Sequence, residues 1–299
     1  MTAVTPSAVA PPLSAGVRRV VLDGAGVQLS ALLAEPAAGR APRAVVVAVH
    51  GGGVTSGYFD GQAHPSLSLL TLGASLGYTV LAVDRPGYGD SAARLPAGLP
   101  LAEQAVVVRA ALAGFAERRP GDAGRLLLLA HSFGGKLALR LAADEGLPGL
   151  RGIDISGCGH RSTVRADEPL PRAGVRRAVR HWGPARLYPA GAFRPGRVPA
   201  APVPAAEATE LASWEADFEE IAPRVRVPLR FTFAAHEPWW RHGDDDLADL
   251  AARFVHAPRV HTERLPETGH NISLGLTARA YHRGALDFLG GCLAGPETP

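Results

Sequence analysis

Cysteine is almost absent from this chain: among 299 residues there are two, Cys158 and Cys292. They stand far apart and without the paired spacing of a zinc site or a disulfide framework, so a metal or disulfide scaffold is not expected. Lysine is scarcer still, Lys136 being the single example among 31 basic residues, and the rest are arginine. The net charge is only +3, and no basic stripe interleaved with aromatics is present, which argues against nucleic acid as the main partner. No run approaches the ~18 uninterrupted apolar residues of a membrane span. The N-terminal stretch MTAVTPSAVAPPLSAG has neither a basic start nor a clean apolar segment of the kind a secretory signal needs. The expectation is a cytoplasmic protein with no membrane span.

With 46% hydrophobic and 20% charged residues, the chain has the material for a large folded core. Short runs that are apolar at every position suit strands buried on both faces of a parallel sheet. The clearest are Ala44–Val49, Thr79–Val83 and Leu126–Ala130, with further strands expected at Val17–Leu22, Val27–Leu33, Gly152–Ser156, Leu229–Ala234 and Val260–Leu265. Between them, helical spacing predicts helices at Ser66–Leu76, Ala102–Arg118, Gly134–Ala143, Asp244–Phe254 and Leu274–Leu293. Such alternation predicts an α/β fold. Only Asp23–Gly26 separates the first two strands, which is hairpin chemistry, so the sheet should start antiparallel. Residues 1–15 are expected to be a loose tail.

About seventy residues between Gly157 and Val227 break the rhythm, with many prolines and no strand. His160–Ala200 carries nine arginines, whereas Glu207–Glu220 carries six acids and no arginine or lysine. A structureless loop of that length inside a compact domain would be unusual, so a helical lid insertion over 158–222 is expected. It would leave a core of 16–157 and 223–295. Val175, Val179 and Trp182 fall on one helical face of this insertion.

The segment LLLLAHSFGGK, Leu126 to Lys136, reads as a buried strand running through a turn into a helix. A nucleophilic serine needs that geometry, because a sharp turn lifts the hydroxyl above the sheet and the helix aims its first N–H groups at developing negative charge. Ser132 is the residue so placed, in Ala130-His131-Ser132-Phe133-Gly134, where alanine replaces the first glycine of G-x-S-x-G. The bland alternative is a serine that merely caps a helix.

On these residues the chain resembles the α/β-hydrolase fold superfamily, in particular its serine esterases and thioesterases. The resemblance implies a mostly parallel central sheet flanked by helices. His50-Gly51-Gly52-Gly53 is similar to the family's HGGG loop and Asp84-Arg85-Pro86-Gly87-Tyr88-Gly89-Asp90-Ser91 to its D-x-P-G-x-G-x-S turn. By carry-over, Gly52, with Gly53 as a further donor, and Phe133 would form an oxyanion hole through backbone N–H groups. His270, in Glu267-Thr268-Gly269-His270-Asn271 after the last strand, would be the base. The acid would be Glu237, in Ala234-Ala235-His236-Glu237-Pro238, with Asp244, Asp245 and Asp246 as rivals that also read as helix-start acids.

The order Ser132, Glu237, His270 matches the family's. Relatives that open epoxides or remove halides use aspartate as nucleophile, and serine at 132 disfavours those chemistries. Trp239, Trp240, Tyr58 and Phe59 are read either as pocket lining or as core contacts. The resemblance implies hydrolysis of an ester or thioester through an acyl-enzyme, without metal or organic cofactor. A small-molecule acyl substrate is expected. The arginine-rich insertion raises an acidic acyl carrier protein as a partner. The alternatives are a lyase or cyclase on the same scaffold, or a silent binding protein.

Overall fold

A computed structural model describes residues 12–119, 124–144, 147–163 and 181–294. Eight strands form one sheet: β1 (Arg18–Gly24), β2 (Val27–Ala34), β3 (Val45–Val49), β4 (Thr79–Val83), β5 (Leu126–His131), β6 (Leu150–Ser156), β7 (Leu229–His236) and β8 (Val260–Gly269). Their spatial order is β1-β2-β4-β3-β5-β6-β7-β8. β2 is antiparallel to both of its neighbours, and every other pairing is parallel. The expected opening hairpin is present. Ala25 and Gly26, with φ of 54° and 88°, form the two-residue turn, and Asp23 Oδ1 accepts from the Gly26 N–H at 2.7 Å.

The helices are α1 (Leu69–Ser75), α2 (Leu101–Glu117), α3 (Phe133–Ala143), α4 (Ala206–Ile221), α5 (Asp244–Ala252) and α6 (Ala278–Gly291). All five residues of β3 are buried, as a strand covered on both faces requires. Val45, Val47 and Val49 pack with Val108 of α2, Leu137 of α3, Trp214 of α4 and Leu250 of α5. Val46 and Ala48 turn to the opposite side, with Leu69 of α1 and Leu286 of α6. The sheet is therefore the middle of three layers, and the period-2 alternation of side chains divides one apolar run between two cores.

Several boundaries differ from the sequence reading for local reasons. The expected helix from Ser66 starts later, because Pro65–Leu67 forms a single 3₁₀ turn and the Ser68 hydroxyl caps α1 by accepting from the Thr71 N–H at 3.1 Å. The last helix begins at Ala278, after a separate 3₁₀ turn at Ile272–Leu274. β8 continues beyond Leu265 to Gly269 across a register shift opposite Ala234 and His236, which carries the chain to the residue before His270. Between β6 and β7, the described residues form a 3₁₀ turn at Ala185–Leu187 and then α4. Val175 and Val179 lie outside the described residues, as do five of the nine arginines of His160–Ala200.

A buried ionic cluster ties the far end of the sheet to α6. Arg230 on β7 pairs with Asp154 on β6 at 2.7 Å and with Glu263 on β8 at 2.6 Å, and the Tyr281 hydroxyl of α6 donates to Asp154 at 2.8 Å. Burial pushes the Asp154 carboxyl upward, and the Arg230 charge opposes that shift.

Candidate active site

Ser132 sits between the last residue of β5 and the first of α3, with φ 53° and ψ −120°, a conformation that costs energy for any residue with a Cβ. The surroundings hold it there. Its N–H donates to the Ser156 carbonyl at 2.8 Å, and its carbonyl accepts from the Gly135 N–H at 2.8 Å. Space at the turn is tight: a Cβ on Gly134 would lie 2.2 Å from the Val49 carbonyl oxygen, and one on Gly51 would lie 2.9 Å from the Ser132 Cβ. The small residues around the turn are thus required by backbones passing in close contact.

His270 follows β8 directly. Its Nε2 is 3.2 Å from Ser132 Oγ, and its Nδ1 is 2.7 Å from Glu237 Oε2. The second carboxylate oxygen of Glu237 accepts from the Trp239 N–H at 3.0 Å, so the carboxylate is held at both oxygens. Three side chains from the ends of β5, β7 and β8 therefore form one hydrogen-bonded row. The rival acids are elsewhere: Asp244 pairs with Arg264, and Asp246 accepts from the Gly243 N–H at the start of α5.

The histidine is packed on several sides. A Cβ on Gly157 would lie 2.9 Å from His270 Cε1, and one on Gly269 would meet the Trp182 carbonyl at 2.3 Å and the Tyr188 hydroxyl at 2.5 Å. Asn271 donates its side-chain amide to the His181 carbonyl at 3.0 Å. The segment around 181–188 therefore presses on the loop that carries His270.

A second imidazole, His131, precedes the serine. Its ring lies 4.8 Å from that of His270 and stacks on Tyr58 at 4.5 Å with planes 13° apart, while Nδ1 is 3.1 Å from the Ser156 hydroxyl. Burial, aided by the neighbouring His270, holds His131 well below the ordinary histidine range, so it is neutral. Tyr58 and Phe59 are fully enclosed, and the Tyr58 hydroxyl accepts from the Ser273 N–H at 3.2 Å. Of the two readings offered for these aromatics, the structure gives core contacts. Trp240 is also buried, with Lys136 Nζ 5.7 Å from its ring centre, whereas Trp239 is half-buried with its ring 6.4 Å from that of His270.

The glycine loop after β3 adjoins the serine. Gly53 does not turn its N–H toward Ser132: it donates to the Tyr88 hydroxyl at 3.2 Å. Among the described residues the Gly52 and Phe133 N–H groups have no acceptor. Burial, reinforced by the adjacent Arg85 charge, keeps His50 well below its usual range. Neutral His50 donates from Nδ1 to the Gly51 carbonyl at 2.8 Å and accepts the Arg85 N–H on Nε2 at 3.1 Å.

Two charged residues to which the sequence pattern assigns no role meet at this loop. Arg85 is entirely buried and pairs with Glu207 of α4 at 2.7 Å. No motif marks Glu207, which lies some 120 residues further along the chain. Among the described residues no cluster of three or more His, Cys, Asp or Glu could hold a metal ion, and no helix is long and apolar enough to cross a membrane.

An eight-stranded sheet whose only antiparallel strand among the described residues is β2, with helices on both faces and a strained serine between strand and helix, defines a class, and comparison with known proteins agrees. The chain belongs to the alpha/beta hydrolase family, whose model matches residues 46–282. No curated protein matches it. Among solved structures, it is similar to a thermostable carboxyl esterase from Bacillus coagulans, with a TM-score of 0.70 and 18% identity over 94% of this chain and 100% of that one. It is likewise similar to a putative aryl esterase from Burkholderia cenocepacia, with a TM-score of 0.65 and 18% identity over 93% and 100% of the two chains. A thioesterase domain from the curacin biosynthetic pathway gives a TM-score of 0.56 at 17% identity over 90% and 99%. At these identities the likeness is one of fold.

Proposed function

We propose that this protein is a serine hydrolase that cleaves a carboxylic ester or thioester through an acyl-enzyme. The observation that carries the reading is the row Ser132 Oγ, His270 Nε2 and Nδ1, Glu237 Oε2, with separations of 3.2 and 2.7 Å. Ser132 Oγ attacks the carbonyl carbon as its proton passes to His270 Nε2, while Glu237 holds the other ring nitrogen and stabilises the imidazolium. The tetrahedral oxyanion is met by the N–H groups of Gly52 and Phe133, the second of which also lies at the positive end of α3. Collapse of that intermediate breaks the bond to the alcohol or thiol, which leaves with the proton from His270. Water then repeats the sequence on the acyl-enzyme and frees Ser132.

In this reading residues 158–222 form the lid, and Trp239 lines the acyl side beside His270. The test is a fluorophosphonate probe together with p-nitrophenyl ester turnover. Wild-type protein is expected to be labelled and active, and Ser132→Ala to lose both. Equal labelling of the two proteins would refute the assignment.

A further inference from the structure

The Arg85 guanidinium is a buried hub that joins the loop beside Ser132 to α2 and α4. Nε donates to the His50 carbonyl at 2.9 Å, Nη2 to the Gly51 carbonyl at 3.1 Å, and Nη1 to the Gln104 side chain at 3.0 Å. Nη1 also meets Glu207 Oε1 at 2.7 Å. The guanidinium lies over the Phe133 ring, 4.5 Å from its centre, and over the Tyr88 ring at 4.8 Å. Glu207 reaches down from the first turn of α4. Its other oxygen would stand 3.1 Å from a Cβ on Gly52, next to Gly53, whose N–H donates to the Tyr88 hydroxyl.

Peptide planarity turns these contacts into a statement about direction. In a trans peptide the carbonyl and the following N–H point opposite ways, so Arg85 and His50, by holding the Gly51 carbonyl, aim the Gly52 N–H away from themselves. A cation on the carbonyl end also polarises the amide and strengthens its N–H as a donor. Glu207 completes the arrangement. It balances a guanidinium that has no access to solvent, while the Tyr88 hydroxyl, beneath the same guanidinium, draws the Gly53 N–H aside.

We propose that the Arg85–Glu207 pair is the positioning device of the glycine loop, selecting the Gly52 N–H as oxyanion donor and making that selection depend on α4 being docked. This rests on the serine hydrolase reading above. Neither residue touches the substrate. Their effect is on the transition state, where the oxyanion forms, and so should appear in kcat rather than KM.

The experiment compares wild type, Arg85→Met, Arg85→Lys, Glu207→Gln and the double variant Arg85→Met/Glu207→Gln. Its readouts are kcat and KM on a p-nitrophenyl ester, inhibition by phenylboronic acid as a tetrahedral mimic, and Tm. Arg85→Met is expected to lower kcat by about 100-fold with KM within about threefold, and boronate affinity to fall in parallel. Its Tm should drop, because Glu207 is left buried without a partner. The double variant should regain Tm but not kcat, and Arg85→Lys, which keeps the charge without the fork, should do the same.

Recovery of kcat together with Tm in the double variant would reduce the pair to a structural contact and overturn the proposal. Should the Arg85 variants not fold, Glu207→Gln decides alone: about a tenfold loss of kcat at constant KM is expected, and unchanged kcat overturns. A wild-type protein that is neither active nor labelled at Ser132 would instead defeat the hydrolase reading itself, and this inference with it.

Discussion

Glu237 Oε2 lies 2.7 Å from His270 Nδ1, while the other oxygen of the same carboxylate is held 3.0 Å from the Trp239 N–H. A carboxylate fixed at both oxygens can set the tautomer of one imidazole without rotating away from it. The Asp244–Asp246 run, a few residues on, starts α5 and has no part in this contact.

Glu237→Gln should therefore cost about 10²–10⁴-fold in kcat, because an amide can place a donor where the imidazole needs an acceptor. Asp244→Asn should change kcat by less than about twofold, as expected for an exposed group. Steady-state kinetics on one ester substrate checks both. A large loss at Asp244 with little change at Glu237 would reverse the assignment of the acid.

Gly134→Ala should destabilise the fold by more than about 2 kcal/mol, since its methyl group would meet backbone atoms of β3 that cannot swing aside. Ala130→Gly, at the other small position of the turn, should be milder, limited to about 1 kcal/mol from added backbone freedom. Urea unfolding of the two variants gives the comparison. Equal losses would mean that close approach of the β3 backbone is not what the glycine serves.

Lys136 is buried against Phe133, Trp214 and Trp240, and burial lowers its ammonium to about 8. The unfolded chain keeps the ordinary lysine value, so between about pH 8 and 10.5 it binds a proton that the folded chain does not. Stability contributed through this group thus rises with pH over that window, and at neutral pH the charge is a burden that the aromatic faces only partly offset. Lys136→Met should raise stability at pH 7 by about 1–2 kcal/mol. A loss of Tm would show the aromatic contacts to outweigh desolvation.

His282 is fully buried on α6, neither ring nitrogen has a partner among the described residues, and burial lowers it to about 3. Above pH 6.5 it is neutral whether the chain is folded or not. As the pH falls from 6.5 toward 3, the unfolded chain takes up the proton first, and stability falls across that window. At pH 4.5 the loss from this residue is about 3 kcal/mol. His282→Leu should flatten the acid side of a stability-against-pH curve measured by urea unfolding, with little change at pH 7.5. Parallel curves for the two proteins would remove the residue from the acid response.

Much of the architecture was legible because its signals are local. β3 is apolar at every position and β4 and β5 at all but one, which burial on both faces explains, and the Ala25–Gly26 turn could be read from its flanking residues. Ser132 announced itself because a strand, a strained turn and a helix follow one another within a few residues. Element ends were harder, since Ser68 as a cap and the bulge in β8 depend on neighbours as well as on composition. Tyr58 could be read as lining or core, and nothing short of the packing against His131 and Ser273 separates the two.

By itself the sequence determined the α/β order, the opening hairpin and the strand–turn–helix around Ser132, because those features arise from contacts between near neighbours in the chain. Only the tertiary structure decided that Glu237 rather than Asp244 meets His270, that Gly53 turns to Tyr88, and that Glu207 reaches Arg85 beneath α4. Those outcomes depend on where strand ends and helices come together in space, and a contact between residues distant in the chain, such as the Arg85–Glu207 ion pair, leaves no mark on the residues around either one.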